Sequence, residues 1–146
     1  MRLETKKYLD DIGQAARLLT EFIGDKTLAD YLSNAMLRAA VERQFEIIGE
    51  AMSRLAQKDE AVVAEISGFR RIIAFRNVLI HQYTDVDDRL VWDVAEKSLP
   101  TLVREVEDLL GAEPSREAEP ASGTQAAGAD GWGPAEDWSD WPDESK

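Results

Sequence analysis

The sequence lacks most of the side chains from which metal sites and covalent enzymes are built. It contains no cysteine and only one histidine, His81, among its 146 residues. Without cysteine the chain has no disulfide, no thiolate metal ligand and no thiol nucleophile, and a single histidine argues against a structural zinc site. A glycine-rich phosphate loop, a zinc-binding histidine pair and a serine nucleophile elbow are absent too. We therefore expect neither a metal nor an organic cofactor.

Long apolar runs and strand-like alternation are also missing. No apolar run approaches the roughly 18 residues that a membrane-spanning helix needs, and residues 1–6 contain no apolar signal core. We therefore expect a cytoplasmic protein without a membrane contact. No stretch alternates with period two over the length of a strand, and no repeat of solenoid length occurs. These absences predict an all-α fold.

Basic residues are outnumbered, and the formal net charge is −12. The charge is uneven, because residues 112–146 carry nine acidic and two basic residues, whereas residues 1–111 carry 20 acidic and 15 basic ones. A chain this acidic does not coat nucleic acid non-specifically. Any nucleic-acid contact would therefore need a small basic cleft.

The first half of the chain has the apolar periodicity of two long amphipathic helices. The pattern predicts a helix over residues 4–23 that ends at Gly24, a residue suited to a helix C-terminus. A second helix is predicted over residues 27–55, with Thr27 as its N-cap. Gly49 could bend this second helix.

The second half predicts a short helical turn over residues 60–66 and helices over residues 68–80 and 88–110. Pro100 lies inside the last helix, where it removes a hydrogen bond. The apolar stripe keeps its phase through Pro100, so we expect a kink there and not an end. Residues 1–111 are thus predicted to form one domain, an up-and-down bundle of about four long helices.

Residues 112–146 differ from the rest of the chain. They are rich in proline, glycine, alanine, serine and acidic residues and have no aliphatic pattern, which predicts a disordered tail. This tail nevertheless holds Trp132, Trp138 and Trp141, and exposed tryptophan is normally avoided. Two interpretations stay open: a solubilising tail, or an acidic-aromatic motif that folds onto a partner or onto a basic cleft of the same protein.

An arginine interrupts the apolar stripe of the helix predicted over residues 68–80. Arg76 lies in the middle of that stripe, and a guanidinium group is costly to bury without a partner. Arg76 must therefore pair with a carboxylate, line a cleft or lie at an interface. The second predicted helix carries a ladder of charges at a spacing of four residues that is either a solvated face or the source of a partner glutamate. Its members are Arg38, Glu42, Arg43, Glu46 and Glu50.

An arginine and a histidine without a metal suit RNA cleavage by the RNA's own 2′-hydroxyl group. Histidine can take or give the proton, and arginine can neutralise charge on the phosphate. The chain has one histidine, but a two-fold dimer would bring two to the site. On an ideal helix Arg76 and His81 are about 140° apart, and they converge only if the helix ends near Ile80 or the cleft uses both flanks. Arg70 and Arg71 could add positive charge for RNA binding.

A structural interpretation of the same residues stays open. His81 could cap the C-terminus of its helix, where the helix dipole favours a cation. Arg76 could form a structural ion pair. On that interpretation the protein would be a helical dimer without a catalytic site.

The segment Arg76 to Tyr83 resembles the Arg-x4-His-x-Tyr signature of the HepT-like proteins, a branch of the HEPN superfamily. Residues 38–44, 86–87, 91–94 and 99–100 resemble further segments of that family, and the resemblance covers about residues 5–110. One departure precedes the signature, since the family usually has Pro-Trp where this chain has Ser67-Gly68-Phe69.

The resemblance implies a helical bundle that dimerises and acts as a metal-independent endoribonuclease toxin in a type VII-like toxin–antitoxin system. It implies that Arg76 and His81 are the catalytic residues and that Asn77 supports them. It also implies a partner, a nucleotidyltransferase antitoxin of the MntA type that adds AMP to Tyr83 and so silences the toxin. The alternative is a non-catalytic module of the same fold that binds a nucleotidyltransferase or a nucleotide.

Overall fold

The structure, a computed structural model, describes residues 1–81 and 86–111. Their regular structure is entirely helical. The six helices are α1 (Leu3–Ile23), α2 (Leu28–Ser33), α3 (Ala35–Lys58), α4 (Glu60–Val63), α5 (Phe69–His81) and α6 (Asp88–Gly111). Helices α1, α3, α5 and α6 span 13 to 24 residues each, which confirms the predicted bundle of about four long helices. Tyr83 and the predicted tail, residues 112–146, lie outside the described residues.

Helices α1 and α3 are antiparallel neighbours. The guanidinium group of Arg2 donates a hydrogen bond to the carbonyl of Lys58, and the Thr5 hydroxyl donates to the Asp59 carboxylate over 2.8 Å. The start of α1 is therefore fastened to the end of α3. Between these helices and α6 lies the apolar core, whose residues are buried completely or nearly so. Its largest members include Leu9, Ile12, Leu19, Ile48, Met52, Leu55 and Leu102.

The single helix predicted over residues 27–55 is wrong, because Asn34 divides it into α2 and α3. Asn34 has an extended backbone, with φ −125° and ψ 99°, and its side chain accepts a hydrogen bond from the backbone N–H of Leu37. Asparagine side chains compete for backbone donors in this way, which favours a cap over a helix interior. The guanidinium group of Arg38 donates to the Leu32 carbonyl over 2.6 Å and so satisfies the end of α2.

The connection into α5 is held by α6. Ser67 donates hydrogen bonds from its backbone N–H and its hydroxyl to the Glu105 carboxylate, over 2.9 and 2.6 Å. Gly68 follows with φ 67°, a conformation that favours glycine. These contacts set where α5 begins.

Helix α6 runs antiparallel to α1 and continues through Pro100, as predicted. Arg17 and Glu107 form an ion pair of 3.6 Å between the two helices. Helix α5 packs chiefly against α3, with the rings of Phe45 and Phe75 edge-on at 4.9 Å. Within the described residues no helix combines the length and apolar character needed to cross a membrane.

Candidate active site

Helices α1, α3 and α5 enclose a cleft of about 690 Å³, called here the α1–α3–α5 cleft. Its lining includes four basic and three acidic residues, so its formal charge is +1 in a chain of net charge −12. The lining residues are Lys7, Tyr8, Asp11, Arg43, Glu46, Ile47, Glu50, Ala51, Arg54, Arg76 and Ile80. This is a local basic cleft of the kind that an acidic protein needs for a nucleic-acid contact.

Arg76 both lines the cleft and pairs with a carboxylate. Its Nη2 donates a hydrogen bond to Oε1 of Glu50 over 2.8 Å, and its Nη1 donates to Oδ1 of Asn77 over 3.0 Å. The side chain is 26% exposed, so the guanidinium group can still contact a ligand in the cleft. Of the three alternatives that the sequence left open for Arg76, pairing with a carboxylate and lining a cleft are therefore both observed.

Gly49 allows Arg76 to cross α3 at close range. A Cβ atom on Gly49 would lie 2.2 Å from Cβ and 2.7 Å from Cγ of Arg76. Helix α3 is unbroken at this residue. Gly49 permits close approach between the two helices, a role that the sequence prediction of a bend did not include. The sequence did contain a sign of this role. A glycine inside a helix lowers its stability by about 1 kcal/mol relative to alanine, so its presence there suggests that packing or function requires it.

Glu50 lies between two guanidinium groups. Its Oε2 accepts a hydrogen bond from Nε of Arg54 over 2.7 Å, while Oε1 accepts from Arg76. The hydrogen bond from Arg54 to Glu50 raises the pKa of Arg54. A carboxylate between two arginines occupies the kind of position in which a phosphate group is bound bidentately.

The remaining acidic residues of the cleft also have basic partners. Lys7 pairs with Asp11 over 3.2 Å, and Arg43 pairs with Glu46 over 3.4 Å. Sequence reasoning missed Lys7 and Arg54 as cleft residues, although Arg54 follows Glu50 at the spacing of a helical ion pair. Within the described residues no three His, Asp or Glu side chains come together as a metal site.

His81 is the last residue of α5 and is exposed. Its neighbour Ile80 lines the cleft, but His81 is not among the lining residues. Because α5 stays helical through His81, the histidine lies about 7.5 Å along the axis and about 140° around it from Arg76. Within the described residues, His81 therefore lies outside the cleft that Arg76 lines.

The other predicted residues lie apart from the cleft lining. Arg70 is exposed in the first turn of α5, with its guanidinium carbon 4.8 Å from the centre of the Phe69 ring. Arg71 is half-buried and has a partner. Neither lines the cleft. Asn77 does not line it either, but it contacts Arg76 directly and helps to orient the guanidinium group.

A second group of ionisable side chains lies where α2, α3 and α6 meet. Burial and the nearby charges of Asp88 and Glu46 raise the pKa of Glu42, and Arg38 opposes that shift. Burial also raises the pKa of Tyr31, whose hydroxyl has no hydrogen-bond partner within the described residues. Within this group the Tyr31 and Trp92 rings pack 5.4 Å apart, and Arg38 pairs with Asp88 over 3.6 Å.

Several known proteins are similar to this chain in sequence. A family model described as "Ribonuclease HepT-like" matches residues 12–109. The protein named "Probable ribonuclease HepT" of Thermococcus cleftensis is 34% identical over 109 residues, which cover 75% of this chain and 98% of that protein. "Putative RNase MJ1380" of Methanocaldococcus jannaschii is 35% identical over 104 residues, or 71% of this chain and 94% of that protein.

A longer relative carries a second name. "Gamma-glutamylcyclotransferase and putative RNase MJ0434" of Methanocaldococcus jannaschii is 35% identical over 106 residues, which cover 73% of this chain. The match spans about half of that protein, 47%. No solved structure matches the chain.

Proposed function

The chain belongs to the ribonuclease HepT-like family, and from this premise we propose that it is a metal-independent endoribonuclease toxin. The observation that carries the proposal is the position of Arg76, which lines a locally basic cleft and is oriented there by Glu50 and Asn77. The ribonuclease names of its relatives support the same activity.

In the proposed reaction the 2′-hydroxyl oxygen of RNA attacks the adjacent phosphorus atom, and the bond to the 5′-oxygen breaks. His81 acts in the proton transfer, as the base for the 2′-hydroxyl or as the acid for the leaving oxygen. Arg76 neutralises the charge that develops on the non-bridging phosphate oxygens. For this contact the phosphate takes the place of Glu50 at Nη2 of Arg76.

A second copy of the chain would complete the site. The reaction works best with both an acid and a base, and each chain has one histidine. Helix α5 packs chiefly against α3 within the chain, and Phe69 and Ile73 on it stay half-buried. A two-fold axis beside α5 would bring His81 of each chain toward Arg76 of the other. The angular separation of Arg76 and His81 within one chain supports such a shared site.

We also propose that a nucleotidyltransferase antitoxin of the MntA type silences this toxin. The Tyr83 hydroxyl would attack the α-phosphorus of ATP, forming a tyrosyl–AMP bond and releasing pyrophosphate. Tyr83 lies two residues after His81 in the sequence, so a bulky anion there would compete with RNA phosphate for Arg76. Incubation with the partner and ATP, followed by mass spectrometry of the Tyr83 peptide, tests this step.

The cleavage reaction is tested by two substitutions and one matched control. His81→Ala and Arg76→Lys should each lower the RNA cleavage rate by about 10²- to 10⁴-fold, because each removes a group that acts in the transition state. His81 is exposed, so its replacement should leave the thermal unfolding curve unchanged. Arg104→Ala, at an exposed arginine of α6 outside the cleft lining, should keep most of the activity. Wild-type cleavage rates in both His81→Ala and Arg76→Lys would contradict the proposal.

A second candidate function is a non-catalytic module that binds a nucleotidyltransferase or a nucleotide. The position of His81 outside the cleft lining favours it. On this proposal the wild-type protein binds AMP or the partner in equilibrium binding assays but cleaves no RNA at any concentration at which it dimerises.

A further inference from the structure

The α1–α3–α5 cleft combines accessible cations with apolar walls. The side chains of Arg43 and Arg54 are 68% and 59% exposed, although each forms an ion pair on its own helix. Tyr8, Ile47 and Ile80 supply apolar surface beside them. Arginine binds carboxylates and also stacks on aromatic rings. The cleft therefore suits a ligand that carries both negative charge and aromatic groups.

The chain contains a segment of that chemistry. Residues 130–146 hold six acidic residues and one lysine, and they include Trp132, Trp138 and Trp141. Asp137 directly precedes Trp138, and Asp140 directly precedes Trp141. Carboxylates thus alternate with indole rings along this segment. The remaining tryptophan of the chain, Trp92, is buried in the core.

Helix α6 ends beside the part of α1 that lines the cleft, so the tail starts near the cleft. Arg17 pairs with Glu107, and Val106 is the neighbour of Gly13. Because the two helices are antiparallel and each rises 1.5 Å per residue, Gly111 comes about level with residues 8–13 of α1. Two residues of that range, Tyr8 and Asp11, line the cleft. Residues 112–129 can span up to about 60 Å when extended, which far exceeds the diameter of one helix.

A second concave surface competes for the same segment and is a poorer match in charge. This α1–α6 groove, of about 590 Å³, has apolar walls that include Ile23, Leu99 and Val103. Its basic residues Lys26 and Arg104 are balanced by two acidic ones, Glu96 and Glu107. Its formal charge is therefore zero, and charge complementarity favours the α1–α3–α5 cleft for an acidic segment.

We propose that residues 130–146 bind in the α1–α3–α5 cleft of their own chain, with carboxylates on Arg43 and Arg54 and indole rings on the apolar walls. The consequence for activity rests on the proposed ribonuclease function: the tail competes with RNA for the cleft. A tethered segment has an effective concentration of about 1 mM. If the detached segment binds the cleft with a Kd of about 0.1 mM, the tail fills the cleft about nine-tenths of the time.

Docking is tested on the full chain without any RNA, by acrylamide quenching of tryptophan fluorescence. In the wild type the tail tryptophans should be shielded at low salt and become accessible at about 1 M NaCl, since salt screens the charge contacts. The double variant Arg43→Gln/Arg54→Gln should show the high-salt accessibility already at low salt. The matched control Lys26→Gln/Arg104→Gln, which removes two positive charges from the α1–α6 groove, should stay shielded.

Two results would overturn docking in this cleft. One is equal quenching of the wild type and of Arg43→Gln/Arg54→Gln at low salt. The other is loss of shielding in the groove variant alone, which would assign the tail to the α1–α6 groove. Since all four substituted side chains are at the surface, circular dichroism should show the same helix content in every variant.

Inhibition is tested with the full-length triple variant Asp137→Asn/Asp140→Asn/Asp143→Asn. RNA cleavage at low substrate concentration should rise about tenfold at low salt and match the wild type at about 1 M NaCl, since the wild-type cleft is occupied about nine-tenths of the time. Shielded tryptophans with no cleavage by any variant would refute the ribonuclease proposal and leave docking standing. If the wild-type tryptophans are fully accessible and the triple variant cleaves RNA at the wild-type rate, the docking proposal is refuted and the ribonuclease proposal is not.

Discussion

Replacing Gly49 by alanine tests whether close approach between α3 and α5 places Arg76. The added Cβ would lie 2.2 Å from Cβ of Arg76, which is the fixed base of that side chain and not its flexible end. Normal carbon–carbon contacts are about 3.5–4.0 Å, so α5 would have to move away by about 1.5 Å. Arg76 moves with it, whereas Glu50, the next residue of α3, does not.

The expected effects on stability and on activity differ in size. Overpacking of this kind destabilises by about 1–3 kcal/mol, while alanine stabilises a helix interior by about 1 kcal/mol relative to glycine. The net loss of unfolding free energy should therefore be only about 0–2 kcal/mol. Activity should fall further, by about 100-fold, because a displacement of about 1 Å in a reacting group can lower the rate that much.

Gly13→Ala is the matched control. Gly13 is also a buried glycine inside a long helix, but its added Cβ would lie 3.3 Å from Nη1 of Arg17 and 3.4 Å from Cγ1 of Val106. Both are ends of side chains that can shift slightly. Urea unfolding and single-turnover RNA cleavage should thus show Gly13→Ala stable and active. A Gly49→Ala protein that gains about 1 kcal/mol and cleaves RNA at the wild-type rate would refute the reasoning.

Two further substitutions probe charge. Glu50→Gln removes the carboxylate that competes with phosphate, so fluorescence anisotropy should show several-fold tighter RNA binding. The maximal cleavage rate should stay close to the wild-type value, because Asn77 and the packing across Gly49 hold Arg76 once RNA is bound; unchanged RNA affinity would contradict this. Burial raises the pKa of Glu42 above its usual 4.5, so the folded state binds that proton more tightly than the unfolded state and loses stability as pH rises above about 4.5. Glu42→Gln should therefore stabilise the protein in urea unfolding at pH 7.5 but not at pH 4, and an equal gain at both would refute the assigned cause.

That Arg76 needs a carboxylate partner could be predicted from the sequence, but the identity of that partner, Glu50, could not. A guanidinium group on an apolar stripe needs a carboxylate or a cleft wherever it occurs, so that requirement is local and predictable. The ladder on α3 offers Glu42, Glu46 and Glu50 at equal spacing, and only the register between α3 and α5 selects Glu50. That register depends on Gly49, whose effect becomes visible only when the neighbouring helix is in place.

The division between α2 and α3 was missed for a related reason. The apolar periodicity continues across Asn34, and periodicity outweighs one polar residue in a sequence pattern. In the folded chain the Asn34 cap acts together with Arg38, which donates to the end of α2 and pairs with Asp88 of α6 over 3.6 Å. The break is thus supported by a tertiary contact that no local window contains.

The shared carboxylate of Glu50 lets the cleft exchange its own anion for a phosphate with little rearrangement. When a phosphate approaches Nη2 of Arg76, Glu50 can remain on Arg54, to which it is bonded over 2.7 Å. An ion pair as exposed as Arg76–Glu50 contributes only about 0–1 kcal/mol, so releasing it opposes binding weakly. Arg76 would still be held by the hydrogen bond to Asn77 and by its packing across Gly49. Glu50 therefore orients an empty site, whereas Gly49 and Asn77 keep it oriented once it is filled.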